Sequence, residues 1–407
     1  MVLSQETSFT ELAVESEDEL TKFKKEIAAS SATGAALRSS LEPPTGKWIE
    51  GLTAEMPLLV ALELVFRRRW ETVLFYLPLA AERAEEDIEY VHQLRVASRR
   101  LVAVLDVLAE GLPEAPRTAL LKRADKIRQN CGAARDLDVQ ILFIEELLTH
   151  IEPDKTAPVQ LLLKKIKSRR GKVQKQLRQK LPKLEVAFQH AGEDLLVSLQ
   201  RAIRHKLQGF GSFGQTASRI LLKELNHLWG RAEGDLDSPQ KFHKLRIDCK
   251  HLRYATEVFT PILHEAFREE FYPQLQHIQD LLGEYHDAEE AKASLYEDRR
   301  KWKRRCAKKK CFIAGSRSIK WPAMRAGLKA VNAAYAAQAE HAHREFLDLW
   351  PAFAGESFRI PVEEMLQNLE GTTTSFPRKT PVAAETSNAA SRGAQSTESS
   401  STGETAQ

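Results

Sequence analysis

The sequence lacks long apolar runs and cysteine-rich motifs, and both absences exclude whole classes of protein. None of the 407 residues falls in an apolar run of about 18 residues, so we expect no membrane-spanning helix. The N-terminus is acidic and polar, so no secretory signal peptide is expected either. The four cysteines match no zinc or disulfide spacing, which favours reduced thiols in a cytoplasmic protein.

Catalytic motifs are also missing from the sequence. No Walker loop, nucleophile elbow or HExxH motif occurs. The pairs His341–His343 and His286–Asp287 are isolated, and such pairs on helices are more often surface residues than metal ligands. We therefore expect a non-catalytic protein with no cofactor and no metal site, while phosphohistidine or phosphatase chemistry stays open as an alternative.

The positive charge is concentrated in the middle of the chain. The whole sequence has a net charge of +4, but residues 1–46 carry eight acidic against four basic residues. Residues 371–407 carry three of each, which leaves +8 for residues 47–370. A basic body behind an acidic leader favours an anionic partner.

Apolar residues recur at three- and four-residue spacing through most of the chain, and strand-like alternation is absent. The pattern breaks at Gly111–Pro113, Glu152–Pro153, 209–214, 230–239 and Thr260–Pro261. This predicts an all-α protein built from antiparallel helical hairpins. We expect a flexible acidic leader over 1–46, a helical domain over 47–355 and a largely disordered, Ser/Thr-rich tail over 356–407.

The sequence also aligns with itself when it is shifted by 151 residues. The residues that match are His92 with His243, Arg95 with Arg246, Arg99 with Lys250, Gly132 with Gly283 and Asp136 with Asp287. A single offset that holds over more than forty residues is hard to obtain by chance. The chain therefore predicts two copies of one helical unit, at about 55–195 and 205–350.

Each copy contains one helix with an apolar face and a cationic face. The cationic residues are His92, Arg95, Arg99 and Arg100 in the first copy, and His243, Arg246, Lys250 and Arg253 in the second. Such a face is commonly no more than solvated surface. Here, however, the same residue types recur in both copies, each face includes a histidine, and neither Arg95 nor Arg99 has a carboxylate four residues later. We therefore favour a binding role for both faces.

The segments VHQLRVASRR and FHKLRIDCKHLRY, followed by CGAARDLDV and LLGEYHDA, resemble the two halves of the CHAD (conserved histidine α-helical) domain. The resemblance extends over about 55–350. It implies two pseudo-symmetric antiparallel four-helix bundles that face a shared basic groove or pore. It also implies that the eight cationic residues bind inorganic polyphosphate and that the protein locates to cytoplasmic polyphosphate granules. The sequence departs from even symmetry at Val102, which stands where the second copy has Arg253.

Polyphosphate is a flexible polyanion without bases, so its binder needs a dense row of cations. Arginine offers forked donors, lysine a point charge, and histidine a donor that becomes cationic near phosphate. Because phosphate raises the pKa of imidazole, we expect binding to tighten as the pH falls from about 8 to 6.

Further residues of both copies are weaker candidates for binding. Secondary ligand positions are Arg68, Arg219, Lys126, His277 and Arg135. Gly132 and Gly283 each stand four residues before an aspartate, a pattern typical of a helix end followed by an N-cap, so we expect a helix–turn–helix corner at both.

Two basic clusters outside the repeat keep nucleic acid, or another polyanion, open as an alternative partner, and nucleic acid is also a candidate competitor. Residues 164–183 contain ten Lys or Arg and no acid, and residues 299–310 contain nine around Trp302. Either cluster could be solvated surface, an extension of a polyanion track or a nucleic-acid contact. Against nucleic acid, the repeated cationic faces have no interleaved aromatic residues for base stacking.

Overall fold

The computed structural model describes residues 42–206, 210–231, 239–309, 311 and 318–370. These residues are helical almost throughout, and they contain no β-strand beyond one isolated antiparallel bridge. The all-α prediction is therefore confirmed. Most of the acidic leader, and the tail from 371 onward, lie outside the described residues. Within the described part of the chain, no helix combines the length and the apolarity needed to cross a bilayer.

The described residues form α1 Leu58–Glu82, α2 Glu89–Val107, α3 Glu114–His150, α4 Pro153–Lys206, α5 Phe213–Arg231, α6 Pro239–Phe259, α7 Tyr272–Ala307, α8 Trp321–Ala354 and α9 Glu356–Gln367. Short 3₁₀ turns follow α2, α6 and α9, and a π-helical turn at Phe267–Phe271 leads into α7. Residues 356–370, which the sequence assigns to the tail, therefore form helix and one 3₁₀ turn.

Prolines mark the beginnings of most of these helices. Pro113 lies immediately before α3, Pro153 and Pro239 are the first residues of α4 and α6, and Pro273 and Pro322 lie in the first turns of α7 and α8. The N–H groups of a first turn have no acceptor within the helix, so proline loses no hydrogen bond there, and its φ is already helical. The breaks predicted from the sequence coincide with these helix ends.

The helices pack as two successive sets. In the first, α1 contacts α2, α2 contacts α3, α3 contacts α4, and α4 returns to α1. In the second, α5, α6, α7 and α8 also contact one another in order, and α9 packs against both α8 and α5. The sets meet mainly where α2 contacts α6 and α4 contacts α8. The helix order is the one that the repeat predicts, whereas the pseudo-symmetry of the two sets remains a prediction.

Backbone hydrogen bonds join the segments that lead into the two sets. Phe213 N–H donates to Met56 O at 2.8 Å, and Leu58 N–H donates to the carbonyl of Gly211 at 3.1 Å. Phe213 is the first residue of α5, and Met56 lies just before α1. Leu58 is the first residue of α1, and Gly211 lies just before α5. The first helices of the two sets are therefore fixed to each other at their N-terminal ends.

The buried apolar residues form two clusters. The larger one lies within both sets. The smaller one lies between the later parts of α3 and α7 and the earlier parts of α4 and α8, with Ile166, Trp302 and Tyr335 among its members. Cys306 and Cys311 also belong to the smaller cluster, and their Sγ atoms lie 2.8 Å apart. The structure has both as free thiols, and their spacing in the sequence gave no reason to expect this contact.

A close approach of α4 to α1 depends on a glycine. A Cβ added to Gly192 of α4 would lie 2.1 Å from Nε1 of Trp70, which is itself only 7% exposed on α1. Because the indole ring is rigid and enclosed, it has no room to move aside. Only glycine therefore fits where these two helices cross.

We expect G192A to lower the free energy of unfolding by about 1–3 kcal/mol, since the methyl group overpacks the contact with Trp70. G171A is the matched control on the same helix, because Gly171 is exposed and has nothing within 4 Å of its added Cβ. That control should gain up to about 1 kcal/mol from helix propensity. Urea denaturation followed by circular dichroism measures both, and an equal gain in stability in the two variants would contradict the packing argument.

Candidate functional site

A cavity of about 620 Å³ lies between the two sets of helices. Side chains of α2 and α3 from the first set, and of α6, α7 and α8 from the second, line it. Phe143 of α3 and Tyr335 of α8 stack at 4.0 Å between ring centroids and contribute an apolar wall. The cavity is therefore shared by both sets of helices, and we call it the groove.

The groove contains cations from both repeated helices. They are Arg95 and Arg99 of α2, Arg135 of α3, and Arg246 and Lys250 of α6, and the titratable ring of His92 on α2 lies among them. Most of the predicted primary residues, together with the secondary candidate Arg135, thus lie on one surface. The two helices reach it because α2 and α6 pack against each other where the sets meet.

Lys250 shows how closely the cations are packed. Its pKa is lowered to about 8, first by partial burial and then by the neighbouring charges of Arg99, Arg128 and Arg246. Burial removes the water that would solvate the ammonium group, and like charges disfavour its charged form. At neutral pH this lysine is therefore a cation held under repulsion.

The arginines experience a milder form of the same effect. Burial lowers the pKa of Arg95, with Arg99 adding to the fall and Asp136 opposing it. Burial likewise lowers the pKa of Arg246, while Asp287 opposes the fall. Both guanidinium groups stay charged at any physiological pH, because arginine titrates so far above neutrality.

Carboxylates form the other side of the groove. They are Asp136 of α3 and Asp280, Glu284, Asp287 and Glu290 of α7. The lining therefore pairs five Lys or Arg with five acids, whereas the sequence predicts a basic groove. The ion pair between Arg95 Nη1 and Asp136 Oδ1, at 3.3 Å, crosses part of it. Sequence reasoning missed the α7 acids, although their spacing of four and three residues on one helix face could have indicated them.

Several polar atoms that line the groove have no partner. Nδ1 of His92, Nε of Arg99 and the hydroxyl of Tyr335 are buried and, within the described part of the chain, accept or donate no hydrogen bond. Partial burial, followed by the charge of Arg135, lowers the pKa of His92, so its ring is neutral at pH 7 in the free protein. Unpartnered buried donors are costly, and a ligand that accepts hydrogen bonds relieves that cost.

The structure puts Arg100 and Arg253 outside the groove lining. Arg100 Nε donates to Glu257 Oε2 at 2.7 Å, and Arg253 Nε lies 3.9 Å from the other oxygen of that carboxylate. Glu257 is only 3% exposed and also accepts a 2.7 Å hydrogen bond from the Tyr272 hydroxyl. These two arginines therefore serve the contact between α2, α6 and α7.

The remaining predicted residues lie at the edge of the groove or away from it. His243 is exposed, and its ring lies 5.4 Å from that of His286 on α7. Arg68 pairs with Glu71 and Arg219 with Glu110, while His277 Nε2 lies 3.0 Å from Glu345. Lys126 is exposed on α3 and is not among the lining residues.

The expected helix corners at the repeated glycines are wrong. Gly132 and Asp136 lie inside α3, and Gly283 and Asp287 lie inside α7. Gly132 has a different role, because a Cβ there would lie 3.0 Å from Nη1 of Arg95. The missing side chain lets the guanidinium group of Arg95 lie against α3, whereas Gly283 faces open space.

One group of described residues could hold a metal ion. His286, Asp287 and Glu290 each offer a ligand atom within 4.8 Å of the others, at the α7 side of the groove. His286 Nε2 already lies 3.3 Å from Glu290, and burial lowers the pKa of its ring, followed by the charge of Arg246. A neutral imidazole with two carboxylates is a donor set that divalent metal ions accept.

Comparison with protein families decides what this arrangement belongs to. The model of the CHAD domain family matches residues 70–296, more than half of the chain. The chain belongs to the CHAD family. The matched range includes every residue of the groove that comes from α2, α3, α6 and α7.

Solved structures agree with the CHAD assignment at the level of the fold. The crystal structure of the CHAD domain from the plant Ricinus communis is similar with a TM-score of 0.60 and 20% identity, over 77% of this chain and 97% of that one. PptA from Streptomyces chartreusis has a TM-score of 0.52 and 15% identity, over 72% of this chain and 99% of its own. No curated protein sequence matches significantly.

The amine of Lys250 should titrate with a midpoint near pH 8, well below the 10.5 of an ordinary lysine. An acylating reagent applied over a pH series, with mass spectrometry of the labelled peptides, measures the midpoint against that of the exposed Lys175. R99Q should move the midpoint upward, because it removes the largest repulsive charge. A midpoint that equals that of Lys175 would contradict the crowding of cations.

Proposed function

We propose that this protein binds inorganic polyphosphate in the groove, as a non-catalytic module. The observation that carries the proposal is the shared cavity, in which cations from both repeated helices lie under mutual repulsion. The resemblance to CHAD domains implies the same ligand. A phosphate chain along this surface would neutralise the cations. Its oxygens would also accept hydrogen bonds from buried donors such as Arg99 Nε, which has no described partner.

The groove favours a phosphate chain over a single small anion. Its volume of about 620 Å³ is larger than one phosphate group needs, and its cations are spread over three helices. Rigid helices hold these cations together in the absence of ligand, so little ordering is required on binding. Affinity should come largely from the release of counterions and should therefore fall steeply with salt.

The acids of α7 limit where the chain can lie. A polyanion is repelled by Asp287 and Glu290, so it should follow the α2 and α6 side, where Arg99, Arg246 and Lys250 lie. The carboxylates would then hold the arginines in position when the groove is empty. An anionic ligand that contacts both sides of the groove would be repelled by the carboxylates of α7 and should bind poorly.

Nucleic acid is the competing partner, and one observation weakens its case. Trp302 is 3% exposed inside the smaller core cluster, with the guanidinium carbon of Arg305 5.4 Å from its ring centroid. It therefore has no free face on which a base could stack. Competition tests the preference: long-chain polyphosphate should displace bound RNA at equal charge concentration, and RNA should fail to displace polyphosphate.

The variant R95E/R246E should weaken the binding of long-chain polyphosphate by at least about tenfold at about 0.15 M salt, since it removes one groove cation from each copy. R68E/R219E is the matched control, because it changes the same charge at repeat-related positions outside the groove. Isothermal titration calorimetry with all three proteins gives the affinities. Equal losses in the two variants would mean that general surface charge, and not the groove, binds the polymer.

Binding should take up protons, and affinity should fall as the pH rises from about 7 to 9. Lys250 has a lowered pKa of about 8 in the free protein, and bound phosphate raises it, so the charged form is favoured in the complex. Below about pH 7, His92 should add a further gain for the same reason. Calorimetry in two buffers of different ionisation enthalpy counts the protons.

K250R separates the contribution of Lys250, because a guanidinium group stays charged across this range. It should flatten the pH dependence between about pH 7 and 9 and leave the gain at lower pH. An unchanged profile in K250R would remove Lys250 from the account of binding.

A further inference from the structure

A second cationic surface lies across α4 and the C-terminal part of α7. The two basic clusters of the sequence, 164–183 and 299–310, are separated by more than a hundred residues along the chain. The first lies on α4, and the described part of the second lies on the last turns of α7 and just beyond it. Neither cluster lines the groove.

Side-chain contacts bring these clusters together. Arg169 Nη1 of α4 lies 4.0 Å from Oδ2 of Asp298 on α7. The pKa of Lys165 is lowered first by partial burial and then by Arg305, with smaller effects from its own helix. Ile166 and Trp302 belong to the same buried cluster beneath this surface. Sequence-distant cations thus form one surface, and we call Lys165, Arg169, Lys172, Lys301 and Arg305 the basic track.

The basic track continues the face of α7 that lines the groove. Asp287 and Ser294 line the groove seven residues apart, and Lys301 follows Ser294 by another seven. Residues at this spacing project from nearly the same face of an α-helix. From Ser294 to Arg305 the helix rises about 16 Å. At Ser294 this face no longer carries the acids of the groove, so a chain that follows the α2 and α6 side within the groove can cross to α7 there and meets the track within three turns.

The track retains positive charge after its ion pairs are counted. Asp298 lies 2.6 Å from Lys301 and also near Arg169, so a single carboxylate serves two cations. Lys165 and Lys172 are exposed on α4 and form no ion pair with any described residue. Nε of Arg305 is buried and has no described hydrogen-bond partner. The surface thus has surplus cations that can accept an anion.

The track is suited to a charged chain without bases. Trp302 beneath it is buried, and the exposed Tyr296 follows Asp287 by nine residues, which puts it on the opposite face of α7. The described residues of the track therefore present no aromatic ring on which a nucleic-acid base could stack. Flexible lysines and arginines that alternate across two helices match the backbone of a phosphate polymer.

We propose that the basic track binds the part of a long polyphosphate chain that extends beyond the groove, and so makes the protein selective for long chains. This inference rests on the proposed function of the groove. Short chains fill the groove alone and do not reach α4. Long chains contact both surfaces, and the second contact adds to the affinity through its effective concentration.

The test compares tripolyphosphate with long-chain polyphosphate on K165Q/K172Q. The long chain should lose about tenfold in affinity at about 0.15 M salt, and the slope of log affinity against log salt should fall by about one unit per cation removed. Tripolyphosphate should bind the variant and the wild type equally. K175Q/K180Q removes the same charge from exposed positions of α4 outside the track and should bind both polymers as the wild type does.

Each other outcome has a definite meaning. If K165Q/K172Q keeps the wild-type affinity for the long chain, or loses affinity equally for both polymers, the track does not select chain length. Duplex RNA is the third ligand measured. If K165Q/K172Q binds duplex RNA more weakly but binds the long chain as the wild type does, the track is a nucleic-acid surface and the proposal is wrong. If the wild type binds neither polymer, the proposed function of the groove fails first. Thermal unfolding of all variants checks that the fold is intact.

Discussion

The buried carboxylate of Glu257 holds the two cationic helices side by side. It accepts hydrogen bonds from Arg100 of α2 and Tyr272 of α7, both at 2.7 Å, and lies beside Arg253 of its own helix. A buried ion is costly unless its partners are correctly placed, so this contact permits little variation in how α2 lies against α6. That alignment brings Arg99 into range of Lys250, on which the electrostatics of the groove depend.

Rigid helices hold the cations of the groove close together in spite of their mutual repulsion. Its cations come from helices that are fixed by packing, so they cannot move apart to relieve their mutual repulsion. Asp287 and Glu290 of α7 offset part of this charge at Arg246, but the pKa of Lys250 is still lowered to about 8. An arriving polyanion replaces repulsion with attraction and needs little rearrangement, which is the condition for fast and salt-sensitive binding.

Local patterns in the sequence predict α1 to α8, most of their ends and the cationic face of α2 and α6, but they assign α9 to the tail. Apolar spacing and prolines such as Pro113 and Pro153 are local signals, and the structure follows them. These local patterns do not predict which side chains of distant helices contact each other. The cationic face does not reveal that Arg100 is drawn to Glu257, or that Gly132 makes room for Arg95. Periodicity indicates which face of a helix is polar, and only the packed chain determines what that face meets.

The backbone bonds between Met56 and Phe213, and between Leu58 and Gly211, affect how far the two sets of helices can differ in sequence. Main-chain atoms form them, so they survive almost any change of side chain. The two sets of helices can therefore differ in sequence without losing their mutual alignment. The second set has Arg253 and Glu257 at the positions where the first has Val102 and Asp106, and the shared main-chain frame tolerates that difference.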